Sequence, residues 1–391
     1  MSEYQYYEFA AIDRPLSRAE MAELRAASTR AVITPAGFTN HYEWGDLKAD
    51  PAKWMQRYFD AFVYFAGWGT CRLSLRLPKA AFRKAELQPF AANHAGLSFE
   101  SSNAHWILDW TIDESEDYER FVEDDGGGWM RRLIPLREEL LRGDLRPLYL
   151  GWLTGINTLD EDEREPEVPP GLAELSPAQQ ALVEFLEIDP DLLEAAAAGS
   201  AKASSADGDE TQRIAVWLET WQVQDMKDVI ERIASGQGQE AERQVKSHYA
   251  AWLKAERPPS APTAPRRRVA ELYALARAAA AVREQREAKA RAKREAEHRR
   301  QREAELRRLM TAPGKRWKQA DAAARRGGAS GYDEASRVLF ELAEGYTLVS
   351  ARPSIASCSV FSSPTRSAPP CCAAWSMRAC GRLASAGSRS K

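Results

Sequence analysis

Polar and apolar residues change period several times along the chain, and each change marks a boundary. Tyr4, Tyr6, Tyr7, Phe9 and Ile12 form an aromatic run that predicts a strand with both faces covered. Ser17-Arg18-Ala19-Glu20 is a capping box: the serine side chain accepts from a free amide and the glutamate reaches back to the serine's own amide. A helix to about Arg30 is expected after it. Asp50-Pro51 supplies an N-cap followed by proline at the first helical position. The helix it opens is expected to carry Trp54, Met55, Tyr58, Phe59, Phe62, Val63 and Phe65, apolar on nearly every side and therefore buried.

Alternation returns after Gly69. The leucines of Arg72-Leu73-Ser74-Leu75-Arg76-Leu77 alternate with polar residues, and Trp106, Leu108, Trp110 and Ile112 fall at every second position; each pattern predicts a half-buried strand. Helices are expected at about 129–142 and 146–157. Seven of the twelve tryptophans lie before residue 160, enough bulk to fill one core. The fold class expected for residues 1–158 is an α+β domain able to fold alone, with helices on one face of a mostly antiparallel sheet.

Beyond it the pattern is helical. Residues 159–171 hold Asp160, Glu161, Asp162, Glu163, Glu165, Glu167 and three prolines, and read as an acidic linker. Residues 172–255 read as a small helical region. Ser176-Pro177-Ala178-Gln179 opens a helix through Ile188, Asp189-Pro190 opens a short one, and three more follow at 211–221, 224–234 and 239–255, anchored by Trp217, Trp221 and Trp252. Residues 199–210, rich in Gly, Ser, Ala and Asp, predict a flexible interruption. Pro258, Pro259, Pro262 and Pro265 mark a second linker, 256–267. Residues 268–310 contain neither proline nor glycine and predict one long charged helix, too poor in leucine after Arg283 to support a coiled-coil seam. A helical hairpin is expected over 313–349, around Gly327, Gly328 and Gly331, with a tetratricopeptide-like flavour in Tyr332-Asp333-Glu334-Ala335 but no repeat array.

Charge sharpens this division. Residues 1–160 carry 18 Lys/Arg and 24 Asp/Glu, a net of −6, whereas residues 266–326 carry 20 and 8, a net of +12. The two ends are therefore expected to meet different partners, or each other. No apolar run approaches the roughly 18 residues of a membrane span, and Met1 to Phe9 lack a signal pattern, so a cytoplasmic protein is expected, with no membrane partner. Cys71 alone among the first 350 residues cannot build a disulfide framework.

Candidate chemistry is sparse. Of the five histidines, His41, His94 and His105 are candidates for a site assembled in space with Cys71, but none has metal-ligand spacing, and structural or surface histidines are expected. The acidic run from Asp113 to Asp125 lacks calcium-loop spacing, and Gly126-Gly127-Gly128 is followed by Trp129 and Met130 rather than the Lys-Ser/Thr of a phosphate loop. No catalytic, cofactor-binding or metal residue is assigned, and no cofactor is expected. Between Arg283 and Arg308 stand 11 Lys/Arg and 6 Asp/Glu. The interleaved glutamates and missing aromatics favour a solvated, salt-bridged helix over a nucleic-acid arm.

The opening Glu3-Tyr4-Gln5-Tyr6-Tyr7-Glu8-Phe9, with Asp13-Arg14-Pro15-Leu16 and Trp44-Gly45-Asp46-Leu47, resembles a family of uncharacterised bacterial proteins over about residues 1–350. That resemblance implies no activity. The helical C-terminal half is also similar to the ends of bacterial SWIM zinc-finger proteins, but their Cys-x-Cys and Cys-x-His ligands are absent here, so no zinc function is implied.

Residues 350–391 read as a disordered tail translated out of frame. All 57 Asp/Glu precede residue 351, an arrangement with a chance of roughly one in a thousand at the upstream frequency. Four of the five cysteines fall in this tail, and Ser, Ala, Arg and Pro dominate it, as in a GC-rich gene read in the wrong register. The functional expectation for the whole chain is a non-enzymatic interaction or adaptor protein whose partner is another protein, with no small-molecule ligand identified. The alternatives are a nucleic-acid-associated protein using 283–308, or an enzyme with a site dispersed over 1–158.

Overall fold

A computed structural model describes residues 4–91, 96–102, 104–113, 126–202, 210–256 and 266–349. The acidic run 114–125, His94, residues 203–209, residues 257–265 and the 350–391 tail lie outside the described residues. The chain divides into two units, Met1–Glu284 and Gln285–Lys391.

The first unit is built on a seven-stranded antiparallel sheet. Its strands are β1 (Gln5–Ala10), β2 (Val32–Thr34), β3 (Gly37–Tyr42), β4 (Ala61–Ala66), β5 (Thr70–Pro78), β6 (Gly96–Ser101) and β7 (His105–Ile112), in the spatial order β2-β3-β1-β4-β5-β7-β6. The aromatic run at the N-terminus forms β1, and Tyr7 and Phe9 are buried as expected. The Ser17–Glu20 capping box starts α1 (Arg18–Ala27), and Asp50 with Pro51 starts α2 (Pro51–Arg57).

Two expectations are corrected here. The helix opened at Asp50 stops at Arg57, and Phe62, Val63 and Phe65 belong to β4. Ala-Phe-Val-Tyr-Phe-Ala is unbroken because β4 is central and covered on both sides, so the pattern loses its period of two. Helices also cover both faces of the sheet, not one. On the first face Tyr7, Phe9, Phe38 and Phe62 pack with Leu24 of α1 and Trp54 and Met55 of α2. On the second face Val63, Phe65, Leu73, Leu75, Leu108 and Trp110 pack with α4 (Trp129–Leu133), α5 (Pro135–Leu141) and α6 (Arg146–Thr154); the short α3 (Lys84–Leu87) adds Leu87. The strand 72–77, expected to be half-buried, accordingly buries Ser74 and Arg76 as well as its leucines.

The approach of α6 to the sheet is close. A Cβ on Gly151 would meet the Trp110 indole at 2.6 Å and Leu97 Cβ at 2.8 Å, and Trp110 Nε1 donates to Pro147 O at 2.9 Å.

This second core continues along the chain through α7 (Pro177–Phe185), α8 (Pro190–Ala198) and the start of the long helix at Val269, Leu272 and Ala276. The stretch 159–171, expected as an acidic linker, packs onto it through Leu159 and Val168 and buries Glu165, which is 3% exposed. Burial of that carboxylate is tolerated because Arg267 and Tyr149 pair with it.

Three helices lie between these parts: α9 (Glu210–Glu219), α10 (Val223–Ala234) and α11 (Gly238–Glu256). The run without proline or glycine forms one helix, α12 (Val269–Leu309), whose 41 residues rise about 60 Å. In the second unit α13 (Pro313–Arg326) and α14 (Gly328–Val349) form the expected hairpin around Ala320, Val338 and Leu342. Gly331 lies inside α14, where a Cβ would meet Ala323 O at 2.8 Å.

Candidate functional site

Between β4 and β7 the first face of the sheet turns from aromatic to polar. Asp60, one residue before β4, is fully buried. Its Oδ1 accepts from Arg76 Nε at 3.0 Å and Nη2 at 2.6 Å, and its Oδ2 accepts from the backbone N–H of Ile12 at 2.7 Å and of Asp13 at 2.8 Å. Arg76 also donates through Nη1 to Met55 O and Gln56 O, the carbonyls at the end of α2. Arg137 of α5 donates from Nη2 to both carboxylate oxygens of Asp13, at 3.0 and 2.9 Å, and from Nε to Arg76 O at 2.9 Å. Two arginines and two aspartates thus form one charge-balanced network. Burial pushes the Asp60 carboxyl up, but Arg76, the Asp13 amide and Arg137 together outweigh it and hold the group below its usual value.

A second polar group lies nearer the other end of the same strands. Arg72 donates from Nε to Asp109 Oδ1 at 2.8 Å and Oδ2 at 2.9 Å and from Nη2 to Oδ2, while Ser74 Oγ donates to Oδ2 at 3.1 Å. Hydrogen bonding to Asp109 holds the Arg72 guanidinium firmly protonated. Beside it Tyr7 and Tyr64 both donate to Gln5 Oε1, at 2.6 and 2.9 Å, and Gln5 Nε2 donates to Asp46 Oδ1 at 2.6 Å. Burial, with the Asp46 charge, pushes the Tyr7 hydroxyl up to about 12, and burial with Tyr7 raises Tyr64 further. Phenols held so far above neutrality are hydrogen-bond donors here, not proton-transfer groups at physiological pH.

Among the described residues Cys71, His41 and His105 form no metal-binding group, and His94 lies outside the described residues. Cys71 is fully buried in the second core. His41 stacks on Tyr4 with ring centroids 6.2 Å apart. His105 is half-buried beside Ser102, whose hydroxyl accepts its amide at 3.1 Å; burial and then Arg76 lower its pKa. Among the described residues no group of three or more His, Cys, Asp or Glu is placed to hold a metal ion. Gly126 and Gly128 adopt positive φ, and a Cβ on Gly126 would strike the Tyr6 ring at 2.9 Å, so the glycines make a tight turn into α4. Residues 281–301 of the charged helix are exposed throughout. Among the described residues no helix is long and apolar enough to cross a membrane.

Six exposed large apolar side chains lie on α9 and α10. On α10 Val223 is 68% exposed, Ile230 64% and Ile233 55%, and no side chain of that helix is fully buried. Ile214, Val216 and Leu218 of α9 are partly exposed as well. Comparison with protein families, curated proteins and solved structures finds no match to the chain.

Sequence reasoning passed over Asp60, Arg76, Arg137, Glu165 and Arg267. The available signal was a lone charge beside or within an apolar stretch: Asp60 between Phe59 and Ala61, Arg76 between Leu75 and Leu77.

Proposed function

We propose that this chain is a non-enzymatic interaction protein whose partner is another protein, engaged along α10 by an amphipathic helix. The observation that carries this reading is the line of exposed apolar side chains at Val223, Ile230 and Ile233. Their spacing of seven and three keeps them on one face over about 15 Å of helix, the form of surface that an amphipathic helix covers. The charged clusters of the sheet support the same reading from the other side. Asp60, Arg76, Asp13 and Arg137 are committed to one another, and this arrangement suits a scaffold better than a reaction centre.

The test is comparative capture from the native host with the wild-type chain and with I230D/I233D, followed by titration of the purified candidate. A partner retained by the wild type, binding it directly as a helical segment, and weakened at least tenfold by the double variant supports the proposal. Equal binding to both chains refutes it.

A further inference from the structure

The charged helix α12 is not charged evenly around its axis. Arg286, Lys289, Lys293, Arg300 and Arg307 are spaced three, four, seven and seven residues apart. At about 3.6 residues per turn, those spacings hold all of them within about 60° of one another, in a stripe about 32 Å long. Between Arg286 and Arg307 the only other residue in that arc is Ala304. Glu284, Glu287, Glu295 and Glu305 lie on the far side of the helix, and Glu297 and Glu303 border the stripe. Glutamates that alternate with cations along the sequence are thus separated from them around the helix. The five cations of the stripe are exposed.

Other arginines of the same unit are paired. Arg302 bonds Glu344 at 2.8 Å, Arg316 lies 3.4 Å from Glu341, Arg325 lies 2.9 Å from Asp321, and Arg326 pairs with Glu334. On the stripe, Arg307 has Glu303 at 3.7 Å, but no described residue pairs with Arg286, Lys289, Lys293 or Arg300. The hairpin approaches from another side, where Glu344 meets Arg302 and a Cβ on Gly345 would meet Met310. Like charges three and four residues apart, as in Arg286, Lys289 and Lys293, repel and weaken an isolated helix. A helix that served only as a spacer would be steadier with glutamate at one of those positions. A polyanion laid along the stripe offsets that repulsion and gives up its counterions in doing so.

The stripe's composition narrows the polyanion. It holds no bulky apolar side chain, which a membrane-surface helix would bury. It has no aromatic ring for single-stranded bases to stack on. It has no hydroxyl or amide to meet the 2′-hydroxyls of an RNA duplex. It is a straight row of cations close to one turn of B-DNA in length, about 34 Å. We propose that Arg286, Lys289, Lys293, Arg300 and Arg307 dock the phosphate backbone of duplex DNA without reading its sequence. This surface is separate from α10 and acts whether or not α10 binds a partner.

The test measures binding of the full chain to a fluorescent DNA duplex by anisotropy over a series of salt concentrations. Five phosphate contacts predict a slope of log affinity against log salt of about −4.5. R286Q/K293Q/R300Q is expected to weaken binding at least tenfold and to make the slope shallower by about 2.7. R291Q/R294Q/R299Q removes the same charge outside the stripe and is expected to bind within threefold of the wild type, with its slope unchanged. Glutamine is a good helix former, so both variants keep the helix. Equal weakening by the two variants would overturn the proposal, because net charge and not the stripe would then hold the DNA. So would the absence of wild-type binding at about 50 mM salt. Tighter binding to an RNA duplex of the same sequence, or to phosphatidylserine vesicles, would overturn the assignment to DNA.

Discussion

Glu165 and Arg267 stand 102 residues apart in sequence and are joined by two charge-assisted hydrogen bonds, Nε to Oε1 at 2.6 Å and Nη2 to Oε2 at 2.9 Å. Tyr149 donates a third to Oε2 at 3.0 Å, and the Arg267 backbone N–H donates to Oε1 at 3.1 Å. Replacing Arg267 by methionine leaves a carboxylate 3% exposed without its cation. The expected cost is about 3–5 kcal/mol, the usual penalty for breaking a buried pair from one side. Urea unfolding of R267M beside E165Q/R267M checks it: the double variant should recover part of the loss.

The Asp60 network should contribute to acid sensitivity. Its folded pKa lies below the ordinary 3.8, so its contribution to stability is fully present above about pH 4. The contribution is lost as pH falls through the lower, folded value. D60N is expected to destabilise the unit by about 3–5 kcal/mol at neutral pH, because Arg76 loses its buried partner. It should also flatten the decline of stability with acid. A D60N melting curve as acid-sensitive as the wild type's would contradict this.

Glu20 provides a milder second case. Hydrogen bonding to Arg14 holds its carboxyl down to about 2, against an unfolded value near 4.5. Stability from this pair is present above about pH 4.5 and is lost as pH falls toward 2. Arg14 is 41% exposed, so solvent screening limits the effect to about 1 kcal/mol or less. R14A should raise the Glu20 pKa measured by carboxyl NMR and lower stability only slightly.

Gly151 should not accept a side chain. An alanine methyl would fall 2.6 Å from the Trp110 ring and 2.8 Å from Leu97 Cβ, and both sit in a filled core. G151A is expected to cost about 1–3 kcal/mol through overpacking. Thermal melting should show it, with the near-ultraviolet Trp signal changed.

The shared core alters the expectation for the fragment 1–158. Without Leu182, Phe185 and Leu186, the sides of Trp129, Leu133 and Leu136 that face α7 are exposed. The fragment is expected to bind a hydrophobic dye and melt broadly, whereas 1–284 should melt cooperatively.

Much of this was legible from local chemistry. The capping boxes at Ser17 and Ser176 and the Asp-Pro starts at 50 and 189 act within four residues, and each begins a helix where expected. The alternating leucines of β5 were equally plain. What local pattern could not show was the second covering layer. Phe62, Val63 and Phe65 read as helix because a strand buried on both faces has no period of two. Glu165 read as solvated because its partner lies 102 residues away. The aromatic anchors Trp217, Trp221 and Trp252 were recognised individually, but their assembly into one cluster depends on how α9 meets α11.

Arg267 also reaches Ala195 O at 2.7 Å and Ala196 O at 3.3 Å, and its guanidinium lies where a Cβ of Gly199 would stand. The chain therefore comes back, at Arg267, to the end of the helix it left at Ala198. Helices α9 to α11 thus stand in sequence between two points that the Arg267 contacts bring together. Replacing the segment from Lys202 to Arg266 by a short Gly-Ser bridge is expected to leave the Glu165–Arg267 clasp in place, while losing the ion pair that Lys246 of α11 makes with Glu138 of α5. Closing a shorter loop costs less chain entropy, so the trimmed protein should retain its sheet and both of its covering layers.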